Sequence, residues 1–183
     1  LVTGETDLVS TGFGKTTCSW LHPFEKKALF ASSHEDPSAM KKQKAELDFR
    51  QSGKARKYSW DYDEWYDIFE KDLNSGNLRN LTNARGYDAE GCYSPDGKLI
   101  VFASNRQAYE RDLSEEEKKI HERDKSYFSE IFIMNSDGSN LQRLTNVAGY
   151  DGGPFFNADG TQICWRRFSE NGHQAEIYVM NVD

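Results

Sequence analysis

The 183-residue chain carries 23 Lys and Arg against 30 Asp and Glu, a formal net charge of −7, with 37% hydrophobic and 13% aromatic residues. That much apolar surface excludes a disordered chain, and an acidic chain without a dominant basic stripe argues against nucleic-acid binding. No run approaches the roughly 20 apolar residues that a membrane-crossing helix needs, so membrane insertion is not expected.

From the N-terminus, Leu8-Val9-Ser10 is expected to be a stray outer strand. A first repeating unit is read from Gly12, with Cys18 and the run Ala28-Leu29-Phe30-Ala31-Ser32-Ser33 as landmarks and a two-residue insertion between them. Residues 37–57 interrupt this unit. Pro37 stands near a helix start, and the segment is basic, with Lys41, Lys42, Lys44, Arg50, Lys54, Arg56 and Lys57. An acidic, aromatic stretch follows, including Trp60, Asp61, Tyr62, Asp63, Glu64 and Trp65. Aromatic density of this kind anchors interfaces, although a strand and loop covering the inserted helix would also use it. Asp67-Ile68-Phe69-Glu70-Lys71-Asp72 is the next strand, Ser75-Gly76 closes a hairpin, and Leu81-Thr82-Asn83 ends the unit.

The pattern then recurs. Gly86-Tyr87-Asp88 leads to Ser94-Pro95-Asp96-Gly97 and Leu99-Ile100-Val101-Phe102; 63 residues later, Gly149-Tyr150-Asp151 leads to Asn157-Ala158-Asp159-Gly160 and Gln162-Ile163-Cys164-Trp165. Glu130-Ile131-Phe132-Ile133-Met134-Asn135 is echoed by Glu176-Ile177-Tyr178-Val179-Met180-Asn181. Asp-Gly pairs at 96–97, 137–138 and 159–160 are hairpin turns, because Gly accepts the positive φ such turns require. Residues 107–127 interrupt the second unit at the place where 37–57 interrupts the first. Ser114 and Glu117 there fit a capping box, and Glu115/Lys119 and Lys118/Glu122 are spaced to meet along a helix. Insertions at one repeat position emerge on one face, often the binding face.

Four short β-runs per unit predict an all-β fold: about three four-stranded antiparallel propeller blades, near 12–83, 86–146 and 149–183, in one domain over 1–183, with two partly helical insertions. A closed propeller usually has at least four blades. The chain therefore reads as a fragment whose open sheet edges belong against the remaining blades of its own ring.

The candidate binding residues are Asp88, Glu90 and Asp151, placed in loops before the first strands at one mouth of the channel, and Trp60, Asp61, Tyr62 and Trp65. Convergent carboxylates at such a mouth suit a cation or a basic peptide; loop capping would equally justify an Asp there. Asp96 and Asp159 are assigned to turns. Arg106, Arg166 and Arg167 follow equivalent strands and are expected to tie neighbouring loops. Cys18, Cys92 and Cys164 show no metal-ligand spacing, His22, His34, His121 and His173 are scattered, and no metal or cofactor is expected.

Ser94-Pro95-Asp96-Gly97, the strand ending Phe102-Ala103-Ser104-Asn105-Arg106, the run from Glu130 to Asn135, and Leu141-Gln142-Arg143-Leu144-Thr145 together resemble the WD-like β-propeller repeat of the TolB family. The resemblance covers most of residues 12–183 outside the insertions. It implies a six-bladed ring in a periplasmic or otherwise exported protein, a non-enzymatic role, and protein partners in the cell envelope. The same blade also occurs fused to peptidases, so the alternative is an accessory or substrate-gating propeller of a larger exported hydrolase whose catalytic residues lie outside this chain. A third reading is a lyase or glycan-active propeller that uses channel carboxylates and a metal.

Overall fold

The computed structural model describes residues 4–55 and 61–182. Strands β1 (Thr16–Leu21), β2 (Lys27–Ser32), β3 (Trp65–Asp72) and β4 (Leu78–Asn80) form one antiparallel meander. Strands β5 (Gly86–Tyr93), β6 (Leu99–Ser104), β7 (Glu130–Asn135) and β8 (Gln142–Arg143) form a second. Strands β9 (Asp151–Phe156), β10 (Gln162–Phe168) and β11 (Ala175–Asn181) form a third sheet. A short parallel bridge, Trp65 to Gly86 and Tyr66 to Tyr87, links the first two. Helix α1 (Ala39–Gln51) stands between β2 and β3; α2 (Gln107–Glu110) and α3 (Glu115–Arg123) stand between β6 and β7. This is the all-β blade architecture that the repeats imply, with helices confined to the insertions.

The blades are held face to face. Leu29, Ile68, Leu81, Tyr93, Ile100, Phe102, Phe132 and Met134 form one buried cluster between the first and second blades. Cys92, Val101, Ile131, Ile163 and Trp165 form another between the second and third. The alternation along each strand sends these side chains inward, and burying each large aliphatic one is worth about 1.5–3 kcal/mol. Cys92 is therefore a small core residue, and burial pushes its thiol up to about 11.

One bulge recurs in every blade and sets the alignment. The first strand is irregular between Thr17 and Ser19 and between Ala89 and Cys92, and in the third blade opposite Cys164 and Arg166. The extra residue has positive φ each time: Cys18 at 43°, Glu90 at 60° and Gly153 at 63°. Four residues before it stands a glycine, Gly14, Gly86 or Gly149, whose absent side chain admits the backbone at His34, Arg106 or Phe168–Ser169. This corrects the reading of the first unit. Gly14, not Gly12, matches Gly86, and Cys18 matches Glu90 rather than Cys92. The two-residue insertion disappears because His22-Pro23-Phe24-Glu25 is a turn of the same length as Ser94-Pro95-Asp96-Gly97. His22 closes the turn as Ser94 does in the second blade, its amide donating to the Lys27 carbonyl at 3.0 Å as the Ser94 amide does to Leu99 at 2.9 Å, and its Nδ1 accepts from the Phe24 and Glu25 amides at 3.2 and 3.0 Å. Residues 8–10 are also corrected. They form no strand, and the Val9 carbonyl accepts from Lys71 Nζ at 2.8 Å instead of from a neighbouring strand.

Candidate functional site

Each antiparallel meander has two ends. The hairpins after β1, β5 and β9 and the turns after β3 and β7 share one end. There Asp96 accepts from Ser94 Oγ at 2.7 Å and the Lys98 amide at 3.1 Å, and Asp159 accepts from the Thr161 amide at 2.9 Å. Both act as turn caps. The insertions and the glycine approaches that open the first strands share the opposite end, which is the candidate binding face.

The segment that follows the first insertion meets the second insertion on that face. Tyr62, which follows the first, bonds hydroxyl to hydroxyl with Tyr109 of the second. Asn105 ties both to the blade: its Nδ2 donates to Tyr62 Oη at 3.1 Å and to the Lys125 carbonyl at 2.8 Å, and its Oδ1 accepts from the Tyr87 amide at 2.7 Å. His121 of α3 packs edge-on against Tyr109 at 5.4 Å and Phe128 at 5.9 Å. Burial lowers its imidazole below the ordinary range, with Lys125 adding to the effect and Glu64 opposing it.

Around the first insertion several charges pair within the fold. Lys42 of α1 lies 2.6 Å from Asp36 and 2.9 Å from Asp63. Lys15 reaches Asp61 at 2.7 Å and donates to the Tyr62 carbonyl at 3.0 Å. Arg85 pairs with Glu64 at 2.6 Å while lying 4.1 Å over the Trp65 ring. Helix α1 is held at its start, where Ala39 is its only buried residue, and leaves Lys41, Lys44, Met40 and Leu47 exposed. Helix α3 has the predicted capping box between Ser114 and Glu117, and Arg111 adds a pair to Glu117 at 2.6 Å.

The predicted site residues part company here. Asp88 and Glu90 lie inside β5 and Asp151 opens β9, so none is in a preceding loop. The bulge accounts for the difference: it lets the strand begin earlier than the apolar run suggests. Asp88 is fully buried, accepting from Ser104 Oγ at 2.5 Å and Arg106 Nη2 at 2.5 Å. Burial pushes its carboxyl up to about 6 although the Arg106 charge works against that. Asp151 is 1% exposed and clamped by Arg167 through Nε at 2.7 Å and Nη2 at 2.6 Å. Arg106 and Arg167 thus tie strands rather than the neighbouring loops expected, and hold two of the three carboxylates out of solvent. Glu90 stays half-buried, accepting from Tyr150 Oη at 2.8 Å and the Gly153 amide at 2.6 Å. Asp61 and Tyr62 lie on the insertion face, Trp65 opens β3 beneath Arg85, and Trp60 lies outside the described residues.

One pair of polar sites went unread in the sequence. Asp67 accepts from Thr82 Oγ1 at 2.7 Å and the Ala84 amide at 3.0 Å. Glu130 accepts from Thr145 Oγ1 at 2.5 Å and the Val147 amide at 2.9 Å. Each threonine in turn accepts the next amide of the third strand, from Ile68 or Ile131. The signal was present: a carboxylate in the third strand stands fifteen residues before the threonine of each Leu-Thr pair. Among the described residues no group of three or more His, Cys, Asp or Glu is placed to hold a metal. The carboxylates that a metal-assisted channel chemistry would need, Asp88 and Asp151, are already paired with arginine. No helix of the described residues is long and apolar enough to cross a membrane.

No family model matches the chain. A protein of Agrobacterium fabrum described as uncharacterized is 28% identical over 111 residues, covering 61% of this chain and 31% of that protein. Among solved structures, a putative TolB from Agrobacterium tumefaciens superposes with a TM-score of 0.62 at 17% identity, covering 94% of this chain and 47% of that one. TolB from Acinetobacter baumannii gives 0.60 at 19% identity, covering 100% of this chain and 34% of that one. The tricorn protease gives 0.52 at 12% identity, with only 14% of that chain covered. The chain thus spans about a third to a half of the TolB chains it matches, and its fold is the TolB-like β-propeller.

Proposed function

We propose that the chain is a non-enzymatic, protein-binding propeller module of the cell envelope, and that it docks its partner with the insertion face. The observation that supports this reading is the bonding of the second insertion to the segment that follows the first, through Tyr62, Tyr109 and Asn105. Segments held together in advance lose little freedom on binding, so more of the contact energy appears as affinity. Among the described residues, the turn end offers short, self-capped hairpins with no comparable projecting helix. The likeness to TolB supports a periplasmic or exported setting, and open blade faces set against further blades of one ring. On β11, Ile177 is 71% and Val179 58% exposed, an apolar strip that suits such a neighbour. The likeness to the tricorn protease is compatible with a propeller serving a hydrolase and does not favour it.

The test is co-purification from envelope extract with the full-length protein, wild type against a variant with the exposed insertion charges reversed (Lys41→Glu, Lys44→Glu, Glu116→Lys, Lys119→Glu). A partner retained by wild type and lost by the variant at unchanged melting temperature supports the reading. A partner retained equally by both contradicts it.

A further inference from the structure

The second and third blades turn the same four side chains toward the blade before them. Cross-strand pairing sets Ile100 opposite Met134 and Phe102 opposite Phe132, and in the third blade Ile163 opposite Met180 and Trp165 opposite Tyr178. Ile100, Phe102, Phe132 and Met134 pack against Leu29, Ile68 and Leu81 of the first blade, and Ile163, Trp165 and Met180 against Cys92, Val101 and Ile131 of the second. A turn glycine completes each joint. A Cβ at Gly97 would come within 2.6 Å of the His22 ring, and one at Gly160 within 3.3 Å of Pro95 Cδ.

The first blade departs from this pattern. Its matching pairs are Ala28 with Lys71 and Phe30 with Phe69. The two aromatic residues are kept, but alanine replaces isoleucine, lysine replaces methionine, and Glu25 stands in the place of the turn glycine. A lysine does not suit a dry joint between sheets, and a glutamate side chain blocks the close approach that the glycines allow. Ala28, Phe30 and Phe69 are nevertheless buried. Residues 7–13 lie over them. Lys71 Nζ donates to the Val9 carbonyl at 2.8 Å. Asp7, Val9 and Ser10 wall a groove of about 450 Å3 that Ala28, Phe30 and Trp20 also line. Phe13 meets the His34 ring edge-on at 5.9 Å, and His34 lies 4.3 Å from the Phe69 ring.

We infer that residues 7–13 form a strap that seals this side of the first blade in the seat of a preceding blade, and that the chain accepts a neighbouring blade by direct sheet-to-sheet contact only on its third blade. There Ile177 and Val179 are exposed at the positions that Ile131 and Ile133, both buried, hold in the second blade. In a closed ring the blade ahead of the first one meets the strap instead of a bare sheet, which makes that joint the seam of the ring. Atypical, more polar residues on the outer side of a capping unit are the rule in repeat arrays. The inference holds whichever partner the insertion face takes.

Photo-crosslinking within the full-length protein tests it, with p-benzoylphenylalanine replacing Val9 in one variant and Asp7 in another and the linked peptides mapped by mass spectrometry. Asp7 is exposed, so its variant keeps the test clear of any packing defect at Val9. A link from either site to residues 16–32 or 65–72 of the same chain is expected. Links from both sites to other blades alone, or no link from either site to those two stretches, would overturn the inference, because a blade would then occupy the seat assigned to the strap or the strap would lie elsewhere.

Discussion

Asp88 and Arg106 illustrate how a buried charge is tolerated in this fold. Arg106 is 3% exposed and its guanidinium meets a carboxylate with no access to water. Removing one partner leaves the other uncompensated, so Arg106→Leu is expected to cost about 3–5 kcal/mol in urea unfolding. The double replacement Asp88→Leu/Arg106→Leu is expected to cost clearly less, and equal losses would show that the pair is not the source. The blades reach this end by different routes: Arg106 comes from two residues beyond the cross-strand partner Ser104, whereas Arg167 is itself the cross-strand partner of Asp151. The arginine contacts were legible in part because each arginine stands at or just beyond the end of the second strand of its unit. The burial of the carboxylates was not, because a one-residue bulge leaves no mark in a hydrophobic pattern.

His121 gives the residue scale a pH dependence. Its buried imidazole binds a proton less readily than the unfolded chain does, so neutral His121 supports the native state above about pH 6.5 and that support is lost as pH falls below it. Lys125 opposes protonation and Glu64 favours it, while Tyr109 and Phe128 supply the packed faces. Hydrogen exchange within α3, corrected for intrinsic rates, is expected to quicken on going from about pH 7 to about pH 5. His121→Phe should remove that change; the same acceleration in the variant would assign it elsewhere.

At the level of elements, the second insertion is tied to the segment that follows the first through Tyr62 and Tyr109. A double-mutant cycle with Tyr62→Phe and Tyr109→Phe is expected to give a coupling of about 1 kcal/mol, and strictly additive losses would mean that the arms are independent. Helix α3 depends on its capped start. Arg111 first, then the Ser114 amide, hold Glu117 down to about 2. A carboxylate so depressed stabilises the helix above its ordinary value near 4.5 and releases it as pH falls from there toward 2. The capping box could be read from Ser114 and Glu117 alone, since both partners are local. The contact between Tyr62 and Tyr109 could not, since it joins residues 47 apart through a fold that only the blade register specifies.

The whole molecule is a stack of twisted sheets whose repeats are readable because each unit must present the same core faces to its neighbours. The first unit was aligned two residues out because Cys18 and Cys92 invited pairing by identity, while backbone geometry pairs Cys18 with Glu90. Chain identity says where a blade is; φ at the bulge says how it is set. The same logic separates the two ends of the molecule, hairpin caps at one and projecting insertions at the other. That division is the central claim, and site-specific photo-crosslinking in the intact cell envelope tests it most directly. With the crosslinker at Lys44 or Glu116, on the insertions, the full-length protein is expected to capture a discrete partner band, and with it at Asp137 or Asp159, on the turn end, none. Equal capture from both ends, or capture from the turn end alone, would contradict it.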